Sequence, residues 1–326
     1  ATATFAAGAS LIVQDNHCHR DGGGVWIVLD SQMTVSGATT SVHVDWNVAN
    51  GHSGGLYLMK SARLVVEAGA KLDCSRNYGS LGSGMYLQDE SSFIAVGHGT
   101  QVILSDHNPS SWAAGRNNFH SRYKKMPRSR KGALVIEEKS SVLISKGASL
   151  TVKNNTACFG GGVGLRDESL LNIAGEKSTA ILEGNSATGD CVNDKHMEQS
   201  RRIIAGCGGG VLLFEPNDRV SVSDGASLIL RNNRAVRHGG GMLLSFGAYF
   251  SVQGIGSSLQ VLHNTAALGA GGGVALFSRA TVWLRMHSAA FVDAASSPFT
   301  GTFHSTFRGN KAPNGYGGAL AFVNSE

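Results

Sequence analysis

The chain has 326 residues and is rich in glycine, with 44, and poor in proline, with 5. Hydrophobic residues make up 42% and charged residues 16%, which excludes an intrinsically disordered chain. The formal net charge of +5 is small for this length, so no nucleic-acid partner is expected. No apolar run reaches the roughly 20 residues of a membrane-spanning helix, and no signal sequence is recognisable.

The dominant feature is a recurring phrase of alternating apolar residues, an asparagine, a small residue and several glycines. It reads LIVQDNHCHRDGGGVWI near the start, LTVKNNTACFGGGVGL in the middle and LILRNNRAVRHGGGMLL further on. The repeat length is about 30 residues, and three units are longer, which is typical of a solenoid. The last glycine before each apolar run is Gly24, Gly55, Gly84, Gly132, Gly162, Gly210, Gly241, Gly273 or Gly318.

Each unit contains three short strands with a period of two. The first follows the glycines, as at Val25 and Ile27, the second reads like MTVSG, and the third precedes the asparagine, as at Leu11 and Val13. Such a unit cannot bury its apolar face alone, so we predict an all-β parallel β-helix, or solenoid, of about nine rungs. It forms a single domain over residues 1–326, excised from a longer chain, with loop insertions at about 109–130, 189–206 and 285–303.

One asparagine per unit occupies the same turn position, which suits its tolerance of left-handed backbone and its stacking amide. In the fourth unit His107 takes this position, and we expect a local irregularity there. The predicted turn ladder consists of Asn16, Asn47, Asn77, Asn155, Asn185, Asn233, Asn264 and Asn310.

The last unit, residues 307–320, reads FRGN followed by GGAL. It resembles the paired FxxN and GGA(I/L) motifs of the chlamydial polymorphic outer-membrane proteins, whose passenger regions resemble the right-handed β-helices of the pectin-lyase-like superfamily. The resemblance implies a right-handed coil, and a role in adhesion and autotransport. Other units carry valine or leucine where Phe307 stands, and GGG-V or GGG-M instead of GGA.

Acidic residues recur in the turn after the first strand of consecutive units. Stacked at about 4.8 Å, they would form a ladder able to hold Ca²⁺ weakly, or to supply the carboxylates of a polysaccharide lyase or hydrolase. A solvated turn is the favoured interpretation, and no catalytic residue or other cofactor is predicted. The candidate calcium ligands are Asp89, Glu90, Glu137, Glu138, Asp167 and Glu168, and the next unit adds Glu215 and Asp218.

The first strand is apolar on both faces. A sheet of this kind needs a cover, and we expect another protein or a second copy to provide it, with the insertions folding back as the alternative. The predicted partner interface comprises Trp26, Tyr57, Tyr86, Leu134, Ile136, Leu212, Phe214, Leu243, Phe277, Leu320 and Phe322.

The first insertion is basic and holds aromatic residues among its charges. Either it is a solvated loop, or it binds an acidic partner such as an acidic glycan. Its basic residues are Arg116, Arg122, Lys124, Lys125, Arg128, Arg130 and Lys131.

Two modifications are suggested by the sequence. Cys191 and Cys207 bracket the second insertion and would form a disulfide at its base, with Cys158 as a rival partner. Asn154 begins the sequon Asn154-Asn155-Thr156 and is a candidate glycosylation site. Both features favour an extracellular or cell-surface location.

These features predict that the protein is a non-enzymatic structural or adhesive rod of a surface or extracellular assembly. It packs through its apolar sheet face and displays loops from its turns. The alternatives on the same fold are a carbohydrate-active enzyme using the acidic turns, and a glycan-binding module using those turns or stacking sugars on Trp26, Tyr57 and Tyr86.

Overall fold

The computed structural model describes residues 1–107, 131–189, 204–277, 279–285 and 304–323. This part of the chain is an all-β parallel β-helix, in which the strands of each rung pair with those of the rungs before and after it. The strands build three nine-stranded sheets. In each rung, the strand directly after the glycines belongs to sheet 1, the next to sheet 2 and the third to sheet 3. The predicted insertions fall largely outside the described residues.

Sheet 1 contains the strands that follow the glycine turns. They are β4 (Val25–Val28), β8 (Leu56–Met59), β11 (Met85–Leu87), β14 (Leu134–Ile136), β18 (Val163–Leu165), β22 (Val211–Leu213), β26 (Met242–Leu244), β30 (Val274–Phe277) and β33 (Leu320–Val323).

Sheet 2 contains the second strand of each rung. Its members are β1 (Thr2–Phe5), β5 (Gln32–Ser36), β9 (Arg63–Glu67), β12 (Ser92–Val96), β15 (Ser141–Ser145), β19 (Leu170–Ala174), β23 (Arg219–Ser223), β27 (Tyr249–Gln253) and β31 (Thr281–Arg285).

Sheet 3 contains the strands that precede the asparagine turn. They are β2 (Ser10–Gln14), β6 (Ser41–Asp45), β10 (Lys71–Ser75), β13 (Gln101–Ser105), β16 (Ser149–Lys153), β20 (Thr179–Glu183), β24 (Ser227–Arg231), β28 (Ser258–Leu262) and β32 (His304–Arg308). Short strands after the asparagine form two smaller sheets, β3 (His17–Cys18) with β7 (Val48–Ala49), and β17 (Thr156–Ala157), β21 (Ser186–Ala187), β25 (Arg234–Ala235) and β29 (Thr265–Ala266).

The core lies inside the coil and is built from in-register stacks of apolar side chains. In sheet 3, for example, Leu72 pairs with Val102, and Val102 pairs with Leu150. All three are buried, because alternate residues of each strand face the interior and rungs stack at strand spacing. Each rung therefore buries its apolar face only against its neighbours, as the repeat predicts.

The asparagine column is a continuous hydrogen-bonded ladder. The backbone N–H and side-chain Nδ2 of Asn233 both donate to Oδ1 of Asn264, at 2.9 and 3.0 Å. The same Nδ2 donates at 2.9 Å to the carbonyl oxygen of Leu182 in the preceding rung. Each of these amides thus ties three rungs together, and the same contacts recur at Asn47, Asn155, Asn185 and Asn264.

Seven of the nine strands of sheet 1 are preceded by a glycine that packs against this ladder. A Cβ placed on Gly210 would lie 2.5 Å from the carbonyl oxygen of Gly241 and 3.1 Å from Nδ2 of Asn233. The first distance is too short for a real side chain, and the second would be a tight contact. The recurring glycines therefore let the backbone pass directly over the buried amides.

His107 continues the ladder without a break in strand pairing, so the irregularity expected there is limited to its hydrogen bonds. Strand β13 pairs in register with both β10 and β16. The backbone N–H of Asn77 donates to His107 Nδ1 at 3.0 Å, and the His107 N–H donates to Asn155 Oδ1 at 3.0 Å. The ring nitrogen Nδ1 replaces the amide oxygen, but Nε2 is buried without a hydrogen-bond partner.

In the fourth and ninth rungs the predicted faces of sheet 1 are wrong by one residue. Leu134 pairs with Met85 and Leu320 with Val274, both of which occupy inward positions. The reason is that an alanine, Ala133 in the fourth rung, occupies the place of the last glycine. Accordingly four predicted outward residues occupy inward positions instead, namely Leu134, Ile136, Leu320 and Phe322.

The ladder makes a direct prediction for Asn233. Replacing it with alanine leaves the N–H and Nδ2 of Asn185 without their acceptor and the Leu182 carbonyl without its donor. Because unsatisfied buried polar groups are costly, we expect the free energy of unfolding to fall by about 2–4 kcal/mol in urea denaturation. Asn232→Gly, at the adjacent exposed left-handed position, is the control and should change it little. Equal losses in the two variants would contradict the ladder's role.

His107 predicts an acid-sensitive stability. Burial lowers the pKa of His107 from 6.5 to about 4, so the folded state binds fewer protons than the unfolded state between these values. The contribution of His107 to stability is therefore complete above pH 6.5 and falls by about 3 kcal/mol as the pH drops to 4. His107→Asn should remove this loss in urea titrations at pH 7.5 and 4.5, whereas His43→Asn on the outer face of sheet 3 should not. An unchanged pH dependence in His107→Asn would refute this account.

Candidate functional site

The acidic turns stack at the corner where sheet 1 turns into sheet 2. Consecutive residues of each turn adopt left-handed backbone, with φ of 54° and 60° at Asp89 and Glu90, and 53° at Glu138. The rungs are joined there by backbone bonds, such as the 2.9 Å bond from the Glu90 N–H to the Glu138 carbonyl oxygen. The repeated turn therefore projects one side chain per rung at strand spacing.

These side chains line a groove of about 910 Å³ on the outside of the β-helix. Carboxylates predominate, but cationic, amide and hydroxyl side chains are interspersed among them. The lining residues are Lys60, Ser61, Asp89, Glu90, Glu138, Lys139, Arg166, Asp167, Glu168, Glu215, Pro216 and Asn217.

Carboxyl groups of neighbouring rungs raise the pKa values of Glu138 and Asp167. A hydrogen bond with Asp89 is the largest of the causes that raise the pKa of Glu138 to about 7. Burial, followed by a hydrogen bond with Glu215, raises the pKa of Asp167 to about 6. Two carboxylates this close cannot both ionise easily, so each pair holds a shared proton into the neutral range.

Arg166 reduces the repulsion at one end of the groove. Its Nε donates to Glu215 Oε1 at 2.6 Å and lies 3.4 Å from Asp167 Oδ2. Despite partial burial, the hydrogen bonds from Asp167 and Arg166 keep the pKa of Glu215 below its usual value. The proton of this pair therefore resides on Asp167.

Two residues predicted for other sites form a buried ion pair next to the groove. Glu137 was expected among the calcium ligands and Lys131 on a solvated loop, but both are 5% exposed and contact each other through Oε1 and Nζ. The Tyr86 hydroxyl donates to Glu137 Oε2 at 2.6 Å. The one-residue register difference places Glu137 level with Gln88 and Arg166 rather than with the acidic positions, which corrects both predictions.

Asp218 also lies outside the groove, although the sequence places it among the acidic turns. Its two carboxylate oxygens accept backbone N–H bonds from Ser169, Phe214 and Glu215 at 2.9–3.2 Å. Burial raises the pKa of Asp218 to about 7 in spite of these bonds. Its role is to close the longer turn of this rung.

Most of the outer face of sheet 1 is already covered within the chain. Tyr57 and Tyr86 are 2% and 3% exposed, and Leu212, Phe214 and Leu243 are also buried. The last three pack in one cluster with Phe159, Ile204, Ala205 and Cys207. The expectation that these five residues lie open to a partner is therefore wrong, and so is the use of Tyr57 and Tyr86 as sugar platforms.

Trp26 remains 54% exposed and Phe277 partly so. The Trp26 ring stacks on Tyr57 at a centroid distance of 6.2 Å. These two are the outward members of the predicted interface that stay accessible. Whether a partner uses them stays a prediction.

The predicted disulfide between Cys191 and Cys207 is wrong with respect to Cys207. Cys207 is a free, buried thiol, whereas Cys158, the rival, is disulfide-bonded. Cys191 and the basic residues from Arg116 to Arg130 lie outside the described residues. Asn154 is exposed in its turn and accessible for glycosylation, while Asn155 of the same sequon is buried in the ladder.

Neither a membrane helix nor a metal cluster stands out in the part of the chain that the structure describes. None of its helices is long and apolar enough to span a bilayer. Among the same residues, no three histidine, cysteine, aspartate or glutamate side chains converge where a metal ion would bind. Calcium binding at the groove stays a prediction.

Comparison with known proteins gives little further information. No protein-family model and no curated protein matches the sequence. Among solved structures, the chain is similar to a TibC-catalysed, hyper-glycosylated fragment of TibA, at 10% identity and a TM-score of 0.22. That match covers 98% of this chain and 97% of the other.

The paired carboxyls predict a measurable titration. Asp89→Asn removes the neighbouring negative charge, so the pKa of Glu138 should fall from about 7 toward the usual glutamate value. NMR titration of protein labelled at the glutamate carboxyl carbons would follow it directly. Glu90→Gln, on the same turn, should leave the Glu138 titration in place. A Glu138 titration that Asp89→Asn does not move would show that the pair is not formed.

Proposed function

We propose that this protein is a non-enzymatic adhesive rod of a cell surface or extracellular assembly, and that the corner groove binds glycans. The observation that carries the proposal is the groove itself. It extends over several rungs and offers hydrogen-bond acceptors from its carboxylates and donors from Lys60, Lys139 and Arg166. Sugar hydroxyls both donate and accept, so a surface that alternates the two kinds of group suits a saccharide chain.

The β-helix behind the groove supports an adhesive role. The ladder and the filled core hold each rung against its neighbours, so groups on successive turns keep a fixed spacing. A ligand with a repeating structure then meets several groups that are already in place. Preorganisation of this kind reduces the entropy lost on binding.

A glycoside hydrolase is the second candidate, because the pKa of Glu138, raised to about 7, keeps a proton near neutral pH, as a general acid must. The pairing argues against it. Each protonated carboxyl is hydrogen-bonded to its own partner, whereas the two catalytic carboxyls of most glycosidases stand at least about 5 Å apart, with the sugar bond between them. We therefore favour binding without cleavage.

Binding and cleavage can be measured on one panel of immobilised neutral, amino and acidic polysaccharides, with and without Ca²⁺. We expect retention on at least one glycan and no release of reducing ends. Glu138→Gln with Asp167→Asn, which alters groove hydrogen bonding at constant shape, should weaken retention at least tenfold. Glu176→Gln, an exposed acid on another turn, is the matched control.

Three outcomes would count against the proposal. Retention on no glycan rules out the groove as a glycan site, and equal retention by the double variant places the site elsewhere. Release of reducing ends that the double variant abolishes would establish the hydrolase instead. Binding that depends on Ca²⁺ would add the predicted cation to the same site.

A further inference from the structure

The outer face of sheet 1 has one gap in its stack of side chains, at Gly164. Gly164 pairs with Val135 on one side and with Leu212 on the other. A Cβ added to Gly164 would meet no atom within 4 Å, unlike one on the neighbouring Gly162, which would meet a carbonyl oxygen at 2.6 Å. Backbone geometry does not require a glycine here, because Gly164 is not among the positions with positive φ. A glycine within a strand often marks close approach by another group.

The gap is a small, mostly apolar hollow. Its volume is about 20 Å³, enough for a group the size of a methyl or a water molecule. The apolar lining consists of Val135, Phe159, Leu165, Ile204, Leu212 and Phe214. These apolar walls would contact a methyl group, whereas they offer a water molecule no hydrogen bonds.

Polar groups lie on one side of the hollow. Glu137 and Lys131 form the buried ion pair described above, and both line the cavity. A carboxylate accepts and an ammonium donates, so together they match the N–H and C=O of an amide. An apolar end beside an acceptor and a donor is the pattern of an acetamido group.

The hollow adjoins the groove. Arg166 lines both, and it stands two residues after Gly164, about 7 Å along the strand. Phe214 of the hollow likewise precedes Glu215 of the groove. One ligand can therefore place a small substituent in the hollow while its ring lies against the groove.

We propose that the groove selects saccharides that carry an acetamido group, with the acetyl methyl in the hollow at Gly164 and the ring hydroxyls on the carboxylates and Arg166. This inference rests on the proposed glycan-binding function and names its ligand class. Burying one methyl-sized group favours the acetylated sugar about fourfold, and hydrogen bonds to the amide add to that preference.

The test compares N-acetylglucosamine oligosaccharides with glucose oligosaccharides of the same linkage and length by titration calorimetry. The parent protein should bind the acetylated series at least fourfold more tightly. Gly164→Val fills the hollow, so it should bind both series equally, at the affinity that the parent shows for glucose oligomers. Gly164→Ala, which fills less of the hollow, should give an intermediate preference.

Folding is checked by the melting temperature. Gly164→Ala should melt no lower than the parent, because its Cβ enters empty space and the change removes a flexible glycine. The melting temperature of Gly164→Val shows whether its larger side chain is accommodated. Equal binding of the two series by the parent, or a preference that survives in a folded Gly164→Val, overturns the acetamido inference alone. Absence of binding to either series and to the polysaccharide panel overturns the proposed function, and this inference with it.

Discussion

The buried asparagine ladder is the interaction on which the rest of the structure depends. A parallel β-helix must turn three times in every rung, and each turn leaves backbone groups that strand pairing cannot satisfy. The amides of residues such as Asn185 and Asn233 satisfy them from inside, and they do so identically in successive rungs. The glycines over the ladder follow from this fixed turn, because a side chain there would collide with the neighbouring rung.

Much of the fold could be predicted from the sequence because its signals are periodic. Alternation gave the strands of all three sheets, and the recurring asparagine gave the ladder. The register of the fourth rung was predicted wrongly because the strand was aligned on the last glycine before it. In this rung Ala133 occupies the position that a glycine holds elsewhere. In a strand of period two, an error of one residue exchanges the two faces, which misplaced both Leu134 and Glu137. The GGA motif of the last rung shows that alanine can take the last glycine position, and it could have indicated the correct register.

The site was less predictable than the fold. That acidic turns would stack followed from the repeat, but the pairing of Asp89 with Glu138 depends on side-chain direction and burial. The cover over Leu212 and Phe214 comes from residues such as Ile204, which belongs to the second insertion and not to the repeat. Periodic patterns report what every rung has in common, whereas the ion pair at Lys131 and the gap at Gly164 occur in single rungs.

The ladder also gives the β-helix a dipole along its axis. Every amide oxygen accepts bonds from the rung before it, as Asn264 accepts from Asn233, so the side-chain carbonyl dipoles of the column point the same way. Strand dipoles contribute little in ordinary sheets, but aligned amides add along an axis as peptide units do in an α-helix. The interior of this all-β protein therefore contains a polarised column. Its negative side faces the first rung, and each bond polarises the next.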